Sequence, residues 1–224
     1  MRSIPALVLW LGDLLILALL FSATSARSGE AEDVAKPNVA AVATPSRVTV
    51  AEARELVAFH DAARREVGVG PVEWSPEVAA FAQQWADHIA ATGKFEHRPY
   101  EIPPTTEAAA ATKPAESALD LPKQLYGENL AMGNGPNYSP IDGARGWYAE
   151  KKDYEPGTPI PTDFSKFKAG HYTQLVWSKT KKIGAGKAVV QTGDFAGWTV
   201  IVCNYDPPGN WEGIAPFDAP KKSE

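Results

Sequence analysis

The run WTVIVCNYDPPGNW, residues 198–211, tolerates few arrangements. Trp198, Val200 and Val202 fall on one side of an extended segment, and Thr199, Ile201 and Cys203 on the other, which is the two-residue alternation of a β-strand. Asp206, Pro207, Pro208 and Gly209 then stop it, because proline has no amide hydrogen for a ladder and the Pro-Gly pair favours a turn. A strand that runs into such a turn marks one end of a sheet. Residues 182–190 read as its antiparallel partner, joined to it by a glycine-containing loop at 192–197.

The elements before these strands are helical. Thr49 with Glu52 three residues on forms a capping box, and Leu56, Val57, His60, Ala63 and Val67 recur at helical spacing until Gly68 and Gly70. Ser75 caps a second helix with Pro76 in its first position, and Val78, Ala82, Trp85 and Ile89 line its inner face up to Gly93. Ser139 and Pro140 open a third, with Asp142 at the third position. On that helix Gly143, Trp147, Glu150 and Tyr154 form one stripe, and a carboxylate between two aromatics needs a cationic, hydrogen-bonding or metal partner. Helices before and between strands, without strict alternation, place the chain in the α+β class.

Two of the four histidines read as packing residues: His60 inside the first helix, and His88 beside Phe81 and Trp85 on the second. His97 lies just past a helix end, where a side chain can turn toward a cleft. His171 sits in GHYTQLVW, residues 170–177, with polar residues at one end and Leu175, Val176 and Trp177 as an apolar anchor at the other. By itself that stretch makes His171 a core histidine against Tyr172 and Trp177.

GHYTQLVW and IVCNYDPPGNW resemble the two signature motifs of the superfamily of cysteine-rich secretory proteins, antigen 5 and plant pathogenesis-related proteins, the CAP domain. YGENLA at 126–131 and GWYAEKKDY at 146–154 match further motifs in the family's order. The resemblance sharpens the fold to a three-layer α/β/α sandwich with a central antiparallel sheet, over residues 48–215. It also implies that His97, Glu128, Glu150 and His171 line a central cavity. Two imidazoles and two carboxylates suit zinc or a similar divalent cation. The family implies His97 and His171 as direct ligands, with Glu150 on a metal-bound water or in the shell, and Glu128 orienting a histidine through its second ring nitrogen. The opposing reading is a buried His/Glu network without an ion. Asn129, Tyr172, Gln174, Asn204 and Tyr205, which lie in the same motifs, are expected to be structural.

The remaining sequence frames this domain. Residues 1–26 read as a secretory leader, with Arg2, an apolar run from Leu14 to Phe21 and small residues up to Ala26. The alternative is an uncleaved membrane anchor, but Asp13 near its middle would cost roughly 2.5 to 3.5 kcal/mol. Residues 27–47, rich in small residues and proline, read as a disordered linker, residues 99–123 as a long irregular insertion, and residues 216–224 as a tail. About 200 residues after the leader suit one domain with a real core. A net charge of −5 argues against a nucleic-acid surface, and the lysines at 179–182 read as a solvated turn.

Cys203 is the only cysteine, so no intrachain disulfide can form. That departs from animal and plant members of the family and looks more like a bacterial or otherwise disulfide-free branch. On its strand the thiol should be buried and inert.

Three functions are open at this level. The first is a secreted binding module with a cation in the cavity and, as in some relatives, an apolar groove for a lipid or sterol, walled by the loop 153–167. The second is a metal-dependent hydrolase using Glu150 as general base, although the chain has neither HExxH nor GxSxG. The third is an extracellular protein-interaction domain whose cavity is purely structural and whose insertion varies the contact. No membrane span is expected after leader cleavage.

Overall fold

The computed structural model of the chain describes residues 46–100 and 121–218. The expected leader, nearly all of the linker, most of the insertion and the end of the tail lie outside the described residues.

Helix α1 covers Val50–Glu66 and starts with the expected reciprocal cap. The Glu52 amide donates to Thr49 Oγ1 at 3.2 Å and the Thr49 amide to Glu52 Oε2 at 2.8 Å. After the short strand β1, Glu73–Trp74, helix α2 covers Pro76–Thr92. Ser75 accepts from the Val78 amide at one end, and Gly93 closes the other at φ 70°, in the left-handed region that glycine enters freely. Strand β2 is Gly127–Gly133 and helix α3 is Pro140–Ala149. The chain then tightens into a 3-10 turn at Glu150–Asp153. A second such turn at Phe164–Lys166 leads to the six-residue helix α4, Gly170–Leu175. Strands β3, Lys182–Val189, and β4, Thr199–Asp206, lie within one residue of the boundaries read from the sequence.

The four strands form one sheet in the order β1-β3-β4-β2. Its three long strands are antiparallel, with Lys182 opposite Asp206 in β3–β4 and Gly127 opposite Tyr205 in β2–β4. The sheet is nevertheless mixed rather than wholly antiparallel, because β1 pairs parallel to β3 through Glu73–Lys182 and Trp74–Ile183. Neither β1 nor β2 was anticipated as a strand. Two residues carry no period, and GENLAMG, with a glycine at each end and polar residues near its start, has no clean alternation.

Strand β4 is buried on both sides, which makes it the middle of the molecule. Ile201, Cys203 and Tyr205 join a core with Leu56, Trp147 and Tyr172 from α1, α3 and α4. Val200 and Val202 join a second core with Ala82, Trp85 and Ile89 of α2. The alternation seen in the sequence thus sorts side chains between two cores, and the result is the expected three-layer α/β/α sandwich. Layer α2 lies very close to β3: a Cβ on Gly184 or Gly186 would run into the helix backbone at Ala79 or Gln83.

Candidate functional site

The four residues singled out in the sequence form two His–Glu pairs. The first is built on β2, where Glu128 stands opposite Asn204. Only 2% of the Glu128 side chain is exposed. Its Oε1 accepts from His97 Nδ1 at 2.8 Å and from the Arg98 amide at 3.1 Å, and its Oε2 from Asn204 Nδ2 at 3.4 Å. Three donors offset the cost of burying the carboxylate. The segment that delivers His97 is held in place on both sides. Trp85 Nε1 donates to the Glu96 carbonyl at 2.9 Å. Arg98, 1% exposed, lays its guanidinium 3.6 Å from the Phe81 ring centroid and donates from Nη2 to the Phe81 carbonyl at 2.6 Å. Burial lowers its pKa to about 10, opposed by the nearby Glu128 charge.

The second pair joins the end of α3 to the start of α4. Glu150 Oε1 accepts from His171 Nδ1 at 2.6 Å, and Oε2 accepts from the amides of His171 at 2.9 Å and Tyr172 at 3.2 Å. One carboxylate therefore orients the imidazole and satisfies two amides of the first turn of α4. The required partner of Glu150 is His171. The helix ends at that point, so Glu150 and Tyr154 do not continue one α-helical stripe, and Glu150 keeps 25% of its side chain exposed. Trp147 stacks on His171 with centroids 6.4 Å apart, and its Nε1 donates to the Leu130 carbonyl of β2 at 2.9 Å.

A buried polar chain ties the His171 helix to the sheet. Asn129 Nδ2 donates to the His171 carbonyl at 3.0 Å and to the Tyr205 hydroxyl at 3.1 Å. His60 Nδ1 lies 2.8 Å from the Leu56 carbonyl, which can only accept, so Nδ1 carries the hydrogen. His60 Nε2 then accepts from the Tyr205 hydroxyl at 3.1 Å. Burial pushes the His60 pKa down to about 4, raises the Tyr205 phenol well above its usual value, and lifts the Cys203 thiol to about 12. Gln174 lies between Gly127 and Gly209 and accepts from the Gly209 amide at 3.0 Å. Tyr172 packs on Tyr148 and Tyr154. Asn129, Tyr172, Gln174, Asn204 and Tyr205 are thus all buried framework residues.

Sequence reasoning missed two residues, Arg64 and Arg98. Arg64 is fully buried on the inner face of α1 and donates to the carbonyls of Gly70, Leu175, Trp177 and Thr180 at 2.7 to 3.2 Å. An arginine at the end of a helix reads as a solvated charge, and its acceptors are backbone groups that leave no mark in a residue pattern. Arg98 follows His97 directly, but nothing local distinguishes it from a surface residue.

With Nδ1 of both imidazoles donating to carboxylates, the nitrogens left over are His97 Nε2 and His171 Nε2, and neither has a protein partner among the described residues. A histidine whose other ring nitrogen is held by a carboxylate is the common form of a metal-binding imidazole. Among the described residues no three or more His, Cys, Asp or Glu side chains gather as a ready ligand cage. The loop expected to wall a groove is largely turned inward. Tyr154 is buried against Tyr172 and Phe217, Phe167 packs against the same core, and Phe164 is 37% exposed. His88 stacks on Trp85 with centroids 4.3 Å apart, as a packing residue would.

Known proteins share both sequence and fold with this chain. The model of the cysteine-rich secretory protein family, CAP, matches residues 57–205, which include both His–Glu pairs. A PR-1-type pathogenesis-related protein of Sambucus nigra is 35% identical over 73% of this chain and 81% of its own length. Pathogenesis-related protein 1A of Nicotiana tabacum is 32% identical over 70% of this chain and 76% of its own. Among solved structures, NaASP2 with Zn2+ superposes at a TM-score of 0.57 over 80% of this chain and 91% of that one, and BmVAL-1 at 0.54 over 80% and 87%, each at 18% identity. Motifs, layers and relatives agree, and the chain belongs to the cysteine-rich secretory protein (CAP) family.

Proposed function

We propose that the chain acts outside the cell as a CAP-family binding module, in which His97 and His171 take a divalent cation, with zinc the best match. The observation that carries this reading is the shared geometry of the two pairs. Each imidazole is fixed through Nδ1 by a carboxylate, which sets the tautomer that leaves Nε2 as a ligand. Nitrogen donors of this kind with water in the remaining positions suit zinc, which when bound would act as a Lewis acid and would polarise what reaches it. Glu128 and Glu150 orient the imidazoles in this reading. NaASP2 was crystallised with Zn2+, but at its distance from this chain it supports the fold, and the cation rests on the pairs themselves.

Isothermal calorimetry with zinc tests this directly. Saturable heat in the wild type, lost in His97→Ala/His171→Ala, is expected. Wild type and double variant giving the same trace would defeat the reading. The single variants separate two arrangements: one shared ion is lost with either histidine, whereas two independent ions leave half the stoichiometry.

The extracellular assignment rests on the leader read at residues 1–26 and on membership of a secretory family. N-terminal sequencing of the exported protein should begin after Ala26, and a start at Met1 would favour an anchor. The hydrolase reading has less support, because both oxygens of Glu150 are engaged by His171 and Tyr172. A lipid or sterol groove along 153–167 has only Phe164 left as an exposed aromatic. The protein-interaction reading depends on the insertion, most of which lies outside the described residues.

A further inference from the structure

Beside α2 lies a cavity that the His–Glu pairs do not explain. Its volume is about 530 Å³, and it extends from the last turns of α2 along residues 94–99 to residues 121–123. That size is in the range of small-molecule sites. His97 touches its wall, while Glu128, Glu150 and His171 do not.

The chemistry of the wall is specific. One part is a ring stack, His88 over Trp85 with planes 15° apart, and a flat ligand entering the cavity could extend it. The buried Nδ1 of His88 has no partner among the described residues. Arg98, 1% exposed, spends Nη1 and Nη2 on the carbonyls of Pro122 and Phe81 and leaves its buried Nε–H without a partner among the described residues. An unpaired buried N–H on a permanently charged guanidinium is costly and marks a place where an acceptor belongs. Lys94 and Lys123 add two exposed ammonium groups on the same wall, neither in an ion pair among the described residues. Among the described residues, Glu96 on the wall and Glu128 behind Arg98 are two carboxylates against these three cations. A surplus of cations, an unpaired guanidinium N–H and an aromatic platform select against a cation and against a neutral aliphatic molecule.

We propose that this cavity binds a planar aromatic carboxylate, with its ring on His88 and its carboxylate held by Arg98 Nε and the ammonium groups of Lys94 and Lys123. The site shares the His97 wall with the cation reading but does not require a bound cation.

Calorimetry on the full chain without added metal tests the idea, using naphthoate as the probe. Cyclohexanecarboxylate supplies the charge without the flat ring, and naphthalenemethanol the ring without the charge. Naphthoate should give saturable heat and the two controls should bind at least about tenfold more weakly, the loss expected when a charge-assisted hydrogen bond or a ring contact is removed. Lys94→Glu/Lys123→Glu, at exposed positions where folding is not at stake, should weaken naphthoate by a similar factor, as should His88→Ala. His171→Ala should leave naphthoate binding intact even where it abolishes zinc heat, so that the two readings fail separately. Absence of saturable heat, equal binding of naphthoate and cyclohexanecarboxylate, or unchanged affinity in the lysine double variant would overturn the proposal.

Discussion

Glu128 and Glu150 are carboxylates whose positions depend on the donors around them, and removing one donor set should be felt at the histidine it serves. Replacing Glu128 by Gln keeps the volume but removes the charge that holds His97. Zinc affinity measured by calorimetry should fall about 10- to 100-fold while the fold survives, the usual effect of losing the carboxylate behind a metal-binding imidazole. Arg64 makes a different case. Its four carbonyl acceptors lie at the end of α4 and on the turns after α1 and α4. The Trp177 carbonyl also accepts from the Thr180 amide and Gly70 is exposed, so Arg64→Met would leave the buried carbonyls of Leu175 and Thr180 without this donor. A loss of about 2 to 6 kcal/mol in urea unfolding is expected, since each of these two orphaned buried groups costs about 1 to 3 kcal/mol. His60 gives a pH dependence with a definite sign. Burial holds it neutral in the folded protein with a pKa of about 4, against about 6.5 in an unfolded chain. The unfolded chain therefore takes up the proton first, so the stability contributed by neutral His60 is complete above about pH 6.5 and is lost as the pH falls toward about 4. The contribution is about 3 kcal/mol, from the pKa of about 4 and the conversion of one pKa unit to about 1.4 kcal/mol. Urea midpoints followed between about pH 7 and about pH 4.5 should drop less steeply in His60→Gln than in the wild type.

Elements were legible in the sequence where their signals are local. The capping box at Thr49 and Glu52, the Ser75-Pro76 start of α2 and the alternation along β4 all depend on neighbours within a few residues, and each was found in place. Strand β2 was not legible, because its strand character comes from pairing with β4 seventy-odd residues later in the chain, not from its own composition. The turn at Glu150 escaped for a similar reason: helical spacing fits through Tyr154, but contacts with α4 end the α-helix at Ala149. Close contact of α2 with β3 was equally hidden, since it depends on which helix crosses Gly184 and Gly186. Gly186→Ala should therefore push α2 away from the sheet and destabilise the protein by about 1 to 3 kcal/mol or more, the cost of overpacking a tight interface. A Gly70→Ala control, where a Cβ meets nothing within 4 Å, should be far milder by thermal unfolding.

At the scale of the whole molecule, two packed cores share one sheet, and stability comes from that packing because no disulfide is available to this chain. Cys203 lies fully buried in the first core with its thiol pushed up to about 12, so a thiol reagent should label it only after unfolding, and reductant should leave the melting temperature unchanged. Rapid labelling of the native protein would contradict this placement. The residues alone determined the starts of α1, α2 and α3, the paired strands β3 and β4, the lack of disulfides and the family, because each of these is written in short-range pattern or in count. Which carboxylate meets which histidine was decided only by the folded chain. Glu128 reaches His97 and Glu150 reaches His171 across 31 and 21 positions of sequence, and such pairings arise from the crossing of layers, which no local period records.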